Sequence, residues 1–339
     1  MRANPFLRTY AAGDESAILE LFAATFGKRR DLDAWRWQHE RAPEGPASIQ
    51  LLDDDGVLAG HLSHVPFALW VDGRRLRVAR GSDTMVRAEY RRRGAMRTLV
   101  EGFLASAHGC DVRLSFPNHL AVNLMQRYGG GKLLGRLPKW VRLLGASPEL
   151  GPAGGPAGLL GALFGRLMAP RRSPLPVAPI DEIGPELDRL ADESAAFARC
   201  VRVRDAAYVR WRWRDRPGAA WTLTGVRDGE RLRGFAVLGA SDSASDRRGR
   251  IVDLLAADPA ALRSLLLDAV ERLVAAGCRR VVCELQDPRP WARRQLLRTG
   301  FLPLRGDVPV ICRALSPRAG AAPERLDNWL MTRGDSDHV

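Results

Sequence analysis

Residues 83–96, Asp-Thr-Met-Val-Arg-Ala-Glu-Tyr-Arg-Arg-Arg-Gly-Ala-Met, carry the residue types in this chain best spaced for chemistry on an anion. Thr84–Val86 reads as a short apolar strand that runs into a tight basic turn. The turn opens on a helix from Ala95 to about His108, with Met96, Leu99, Val100, Phe103 and Leu104 on one face. The first-turn N–H groups of a helix have no intrahelical partner, and with the macrodipole they form an anion site. Gly94 has no Cβ, so a phosphate can approach the backbone closely there. Arg91, Arg92 and Arg93 bring charge to the same point, and Ala95 and Met96 open the helix. The dipole contributes roughly 0.3–1 kcal/mol per anionic charge, and N–H bonds to a diphosphate add to that. A solvated arginine run on an ordinary strand–turn–helix is the competing reading.

Asp83, on the same strand, is the favoured general base, acting directly or through water. A strand-end Asp that bonds a nearby backbone N–H is the alternative. His64, near the end of a strand read over Val57–His64, is the second candidate base. His61 and His64 are three apart on that strand, so they face opposite sides and make no metal pair. The five cysteines form no CxxC, and the four residues between Cys278 and Cys283 are not zinc-ligand spacing. No metal is expected. The Trp-x-Trp pairs at 35–37 and 211–213 suit carbohydrate or base stacking, but they read better as anchors of a helix end on a sheet. Asp335 and Asp337 read as a solvated tail in preference to an acceptor-pocket lining.

The elements that must position these residues are written twice. Trp35-Arg36-Trp37 recurs as Trp211-Arg212-Trp213. The turn leading to Gly60 recurs in the one leading to Gly234, and Gly129 is matched by Gly300, at offsets between 171 and 176. In the first half the reading is a strand Phe6–Tyr10, a helix capped by Asp14, and hairpin strands Ser48–Leu52, Val57–His64 and Arg75–Arg80. A strand–helix–strand unit follows as Ser82–Val86, Ala95–His108 and Val112–Phe116, then a helix Ala121–Tyr128. The second half repeats this with Trp221–Val226, Leu232–Gly239, Arg250–Leu255, Ala260–Ala276, Arg280–Leu285 and Trp291–Thr299. Residues 145–180, rich in Gly and Pro, read as a linker with a small helix at Leu159–Met168. In the second half Asp258-Pro259 stands where the basic turn should be. Its carboxylate caps the helix and fills the place of a diphosphate.

The 339 residues suffice for two domains. No apolar run approaches the ~20 residues of a membrane span, and the first ten residues lack the apolar core of a signal peptide. With scattered cysteines, a reducing cytoplasm is the expected location. The net charge of +13 raises the question of nucleic acid. Lys occurs only at 28, 132 and 139, and the arginines are dispersed, so compositional bias explains the charge better than a nucleic-acid stripe.

This order of strands, basic Gly turn and helices resembles the GNAT (N-acetyltransferase) superfamily, and the general resemblance covers both halves. It implies an α/β (α+β) fold of two tandem GNAT-like domains, each a mixed, mostly antiparallel sheet flanked by helices. The implied division is a catalytic domain over 1–145, a linker over 146–180 and a degenerate copy over 181–339. In that family the strand before the turn, the Arg-x-x-Gly turn and the next helix bind acetyl-CoA. Here the motif falls on Val86 to Met96, which implies Arg91, Arg92, Arg93, Gly94, Ala95 and Met96 as cofactor contacts. A backbone N–H of Met85, Val86 or Arg87 would hold the thioester carbonyl. The stretch Phe116-Pro117-Asn118 resembles the family's Asn-containing strand-to-helix segment, with Asn118 bonding cofactor or backbone. The C-terminal 328–337 stretch resembles the ending of a tandem subgroup associated with polysaccharide or secondary metabolism.

Two departures stand out. Met96 replaces the usual Gly or Ala two residues past Gly94. The family's Tyr, four residues before the helix-ending Gly, falls on Met125; Tyr128, one helical step away, is carried as a third catalytic candidate. The implied activity is acetylation of an amine, less favourably a hydroxyl, on a small molecule or sugar, with acetyl-CoA or another acyl-CoA as cosubstrate. A non-catalytic acyl-CoA or partner-binding module and a tRNA-dependent aminoacyl transferase of the peptidoglycan-bridge type are the rivals. Either a monomer or a homodimer is compatible with the sequence.

Overall fold

The structure is a computed structural model that describes residues 5–91, 93–106, 109–119, 121–144, 173–218, 220–240 and 247–336. The first half opens with β1 (Phe6–Thr9), α1 (Glu15–Phe26) and α2 (Leu32–His39). A meander of β2 (Ser48–Asp54), β3 (Val57–Val71) and β4 (Arg74–Val86) follows. Its turns are Asp-Gly pairs, Asp55-Gly56 and Asp72-Gly73, with positive φ at both residues, the backbone that tight hairpins need. Next come α3 (Ala95–Ser106), β5 (Val112–Ser115), α4 (Val122–Gly129) and β6 (Lys132–Arg136).

The first half ends with β7 (Lys139–Leu143), and the second contains β8 (Val177–Pro179), α5 (Pro185–Glu193), β9 (Cys200–Arg202) and α6 (Ala206–Val209). It continues with β10 (Thr222–Asp228), β11 (Arg231–Ala240), β12 (Arg248–Ala256), α7 (Pro259–Ala275), β13 (Arg280–Gln286) and α8 (Pro290–Arg298). The last strands are β14 (Leu302–Leu304), β15 (Pro309–Ala314) and β16 (Trp329–Thr332).

The compact units are not contiguous in sequence. One comprises Met1–Gly135, Asp215–Gly218 and Val308–Arg325; the other comprises Arg136–Arg214, Ala219–Asp307 and Leu326–Val339. The first unit has strand order β1-β2-β3-β4-β5-β15-β6, with β4 and β5 parallel. The second has β8-β10-β11-β12-β13-β7-β14, with β12 and β13 parallel. In it β16 pairs with β13 and β9 with β16. The two seven-strand orders correspond position for position. In each, one inner strand comes from the other half of the chain: β15 in the first unit, β7 in the second.

This differs from the expected division into 1–145, 146–180 and 181–339. Residues 139–143 belong to the second sheet and 309–314 to the first, and β8 lies inside the stretch read as linker. A short alternating strand carries no local signal of which sheet it joins. The expected helix at Leu159–Met168 lies outside the described residues. No described helix is long and apolar enough to cross a membrane.

In the first unit the sheet is covered on both faces, which is why β3 reads as a long apolar run. Leu51, Leu58 and Met85 join Ile18, Leu21 and Trp35 of α1 and α2. Their neighbours Leu52, Ala59 and Val86 join Ala95, Leu99, Val100 and Phe103 of α3 and Met125 of α4. The alternation is that of a pleated strand. Each fully buried Leu or Phe contributes roughly 1.5–3 kcal/mol, which fixes the two faces of β4 against different helices.

Candidate active site

The site is built around the far end of β4. This strand pairs with β5 only through Val78–Arg80 against Val112–Leu114. It then runs on to Val86 with β3 as its partner on the other side. The Arg87 N–H donates to the Ala59 carbonyl at 2.9 Å. Hydrogen-bond direction alternates along an antiparallel strand, so the Val86 N–H points away from β3, into the opening beyond the last β5 pair. Of Met85, Val86 and Arg87, Val86 is the one so directed; the Met85 side chain is buried on the α1/α2 face.

After β4, no side chain among the described residues is seen to cap the start of α3. Gly94 has φ +83°, and a Cβ there would meet nothing within 4 Å. Its carbonyl accepts from the Thr98 N–H at 3.0 Å, so it is the first carbonyl of the helix. No acidic residue lies in the first turn. Arg91 and Arg93 are exposed beside it. The Arg91 Nε donates to the Val86 carbonyl at 3.0 Å and the Arg87 Nε to the Leu58 carbonyl at 2.8 Å. Ala95 is buried, and Met96 packs half-buried against the α3 core cluster. Arg92 lies outside the described residues. The matching helix of the second unit, α7, is closed: Asp258 Oδ1 accepts from the Ala260 and Ala261 N–H groups, both at 2.9 Å. Arg233 holds the other oxygen of that carboxylate at 2.7 Å.

A polar cluster lies at a break in β4 on the α1/α2 face. His61 pairs with Met85 and Ser63 with Ser82, so Asp83 and Thr84 form a bulge. Asp83 takes φ +45° there. Its carboxylate is gripped through both oxygens by the Arg30 guanidinium. It also accepts from Gln38 at 3.2 Å and lies 3.3 Å from the His39 Nε2. The His39 ring stacks on Trp35 at 4.9 Å, and its Nδ1 faces the Trp35 carbonyl at 3.0 Å. Burial by itself would raise the Asp83 pKa. The hydrogen bond from His39 and the charge of Arg30 instead hold it well below the usual carboxylate range.

His61 completes the cluster. Its Nδ1 lies 2.7 Å from the Asp83 main-chain carbonyl, so that nitrogen carries the proton. Its Nε2 is buried with no hydrogen-bond partner among the described residues. Burial, then the charge of His39, pushes the ring pKa down to about 4. The result is a neutral imidazole with a free lone pair beside a locked carboxylate. His64 is on the opposite face, as the three-residue spacing requires. Its ring stacks on Phe103 at 3.4 Å, and its Nε2 accepts from the Arg113 Nε at 3.0 Å. Asp83 and His64 are therefore not brought together.

The other expected residues fall as follows. The Asn118 side chain accepts from the Ala121 N–H at 3.0 Å, which supports the turn into α4. Tyr128 is half-buried against the α3/α4 cluster with the Arg127 guanidinium 5.5 Å from its ring centroid. Met125 is buried. The Trp-x-Trp pairs are buried in both units, and Trp35 seats the His39 ring. Asp335 is not in a solvated tail: it is buried and accepts from Arg204 at 2.8 Å. Asp337 lies outside the described residues.

Arg30 and His39 went unnoticed in the sequence, yet a signal for the first was present. Asp253 stands three residues before the end of β12, as Asp83 stands three before the end of β4. Arg204 holds Asp253 at 2.9 Å, as Arg30 holds Asp83. Arg30 and Arg204 are 174 residues apart, within the repeat offset. In the second unit this pair is sealed, with Thr332, Asp335 and Trp213 packed on it and no exposure of either side chain. In the first unit the Arg30 side chain is 19% exposed and the two histidines take the place of the seal.

Residues 7–131 match the model of a GNAT acetyltransferase domain. No curated protein matches the chain in sequence. Among solved structures the chain is similar to a probable N-acyltransferase of unknown function from Enterococcus faecalis V583. The TM-score is 0.66 at 12% identity, over 95% of this chain and 75% of that one. A GCN5-related N-acetyltransferase from Anabaena variabilis gives 0.71 at 14% identity, over 94% and 75%. Eis1 from Mycobacterium abscessus gives 0.62 at 16% identity, over 94% and 76%. At such identities these likenesses speak for the fold.

Proposed function

Residues 7–131 belong to the GNAT acetyltransferase family, and from that premise we propose that the chain transfers an acyl group from acyl-CoA to an amine. A small molecule or sugar carries the amine, and acetyl is the simplest acyl group. The observation that carries this reading is the contrast between two equivalent helices of one chain. The start of α3 has no capping side chain among the described residues and lies beside exposed arginines, whereas α7 is capped by its own Asp258.

In this reading the first-turn N–H groups of α3, with Arg91 and Arg93, hold the diphosphate. The Val86 N–H stabilises charge developing on the thioester oxygen. The acceptor enters on the α1/α2 face, where His61 Nε2 is the available lone pair. Asp83, locked by Arg30 and His39, is the poorer base of the two; it steadies the histidines as an anion. An amine attacks through its own lone pair and sheds one proton afterwards, which a weak neutral base can accept. A hydroxyl would demand a stronger one and is the less favoured acceptor. The second unit is a structural copy of the first without a diphosphate site. Free cysteines, four of five buried, fit a reducing cytoplasm.

Release of CoA thiol with a panel of amines tests the proposal, beside calorimetry of CoA on the full chain. Turnover with one site per chain supports it. Binding without turnover supports the rival of a silent acyl-CoA module, which the buried Met125 favours by removing a phenolic acid from α4. No binding overturns both.

A further inference from the structure

The opening between β4 and β5 has a cationic floor that the steps above leave unused. Arg113 of β5 and Arg313 of β15 stand directly opposite one another in the antiparallel register. Like charges so placed destabilise a sheet. Arg113 is 3% exposed, and no carboxylate pairs with either guanidinium among the described residues. Arg313 Nη1 donates to the Gly129 carbonyl at the end of α4, 2.9 Å away. A helix terminus supplies only about half a negative charge, against two guanidinium groups. Burial and the neighbouring charge push Arg113 down to about 10.

What surrounds Arg113 indicates the kind of anion it suits. Its Nε donates to His64 Nε2 at 3.0 Å and its Nη2 points at the Met125 thioether sulfur, 3.5 Å away. Its Cζ lies 5.5 Å from the Phe103 ring centroid. A Cβ on Gly129 would collide with its Nη1, so glycine is what leaves room for the guanidinium. These walls are apolar, aromatic and soft. A hydrated phosphate loses too much solvation in such a place, whereas a single-charged, polarizable sulfur anion loses less. Arg113 pairs with Ala79 of β4, just below the last β4–β5 pair, and Met125, which it touches, holds the α4 position that the GNAT resemblance gives to the residue beside the thioester sulfur.

We propose that Arg113, backed by Arg313, is a catalytic residue that stabilises the CoA thiolate as the acyl group leaves it. The inference rests on the acyltransferase reading. The acceptor nitrogen forms a bond to the acyl carbon, the C–S bond breaks, and its electron pair stays on sulfur. The nitrogen's proton passes to His61 Nε2, and water later protonates the thiolate. Charge held on sulfur by a guanidinium removes the need for an acid on α4, where Met125 stands.

The test is the thiol titration of CoA bound to the full chain, followed by ultraviolet thiolate absorbance. The expected shift is at least one pH unit below free CoA, a tenfold gain in thiolate fraction. Arg113→Met should abolish the shift while CoA affinity stays within about threefold, and Arg113→Lys should keep part of it. A bound thiol that titrates as in free CoA overturns the inference and leaves the acyltransferase reading standing. Absence of CoA binding overturns both. If Arg113→Met does not fold, the wild-type titration decides alone, with Arg313→Gln as the second variant. A raised KM for the acceptor in Arg113→Met with an unmoved thiol titration would assign the site to an acceptor carboxylate and also overturn the inference.

Discussion

Replacing His61 by Gln should remove a defined part of the protein's acid sensitivity. In the folded chain the His61 pKa is about 4, against 6.5 for an ordinary histidine. Between those values the unfolded chain binds more protons than the folded one, so stability rises with pH across that window. Each pH unit of difference corresponds to about 1.4 kcal/mol. On moving from neutral pH to pH 5 the folded state loses about 2 kcal/mol on this account, and about 3 kcal/mol below pH 4. Gln retains an amide donor for the Asp83 carbonyl but has no proton to gain. The assay is urea unfolding of wild type and variant at pH 8 and pH 5, with the denaturant slope checked for equality. The variant should lose about 2 kcal/mol less than wild type over that interval. His64, lowered in the same direction by its burial, is present in both proteins and cancels. Equal losses would mean that His61 is not a buried neutral imidazole, and the proposed base would go with it.

Asp83→Asn should cost about 1–3 kcal/mol, because Asn suits the positive φ and keeps some hydrogen bonds. Asp253→Asn, at the fully buried counterpart, should cost about 3–5 kcal/mol; equal unfolding free energies would refute the contrast drawn between open and sealed clusters. In turnover assays Asp83→Asn should lower kcat more than it weakens CoA binding, and unchanged turnover would remove Asp83 from the site. Asp258→Ala should lose about 1 kcal/mol from its missing cap, measured by thermal unfolding. The variant should still show one CoA site per chain, and a second site in calorimetry would show that the cap is all that keeps the second unit from binding.

The features legible in the sequence are those set by neighbouring residues. The basic turn, the Asp-Gly hairpins and the Asp258 cap each follow from local steric and hydrogen-bond rules, and each stands where the residues placed it. Two strands ran further than expected. The strand read over Val57–His64 continues to Val71, with Pro66 paired to Ala79. The segments read as two strands, Arg75–Arg80 and Ser82–Val86, are one strand, β4, with Gly81 inside it; a Cβ there would meet the Ser115 Oγ at 2.9 Å, so the glycine serves close packing.

What the sequence hides is placement over long separations. Nothing local in Lys139–Leu143 or Pro309–Ala314 says that each fills a gap in the sheet of the other half. Arg30 and His39 reach Asp83 from about 50 residues away, and only the tertiary fold brings them together. Their polar side chains read as surface until α2 and the β4 bulge are seen in contact. Arg113 is similar: one arginine among many in a chain of this composition, whose burial away from any described carboxylate shows only in the fold.

Calorimetry of CoA with wild type and Gly94→Asp tests the central claim most directly. A carboxylate at residue 94 would project into the space that Gly94 leaves empty at the start of α3. Residue 94 sits at φ +83°, where a side chain is strained, whereas Asp258 caps from φ −150°, so thermal unfolding of the variant is read beside its affinity. The account predicts that CoA binds the wild-type chain and that Gly94→Asp, with an unchanged circular dichroism spectrum, weakens it at least a hundredfold, about 2.7 kcal/mol. Equal affinity in the two proteins would contradict it.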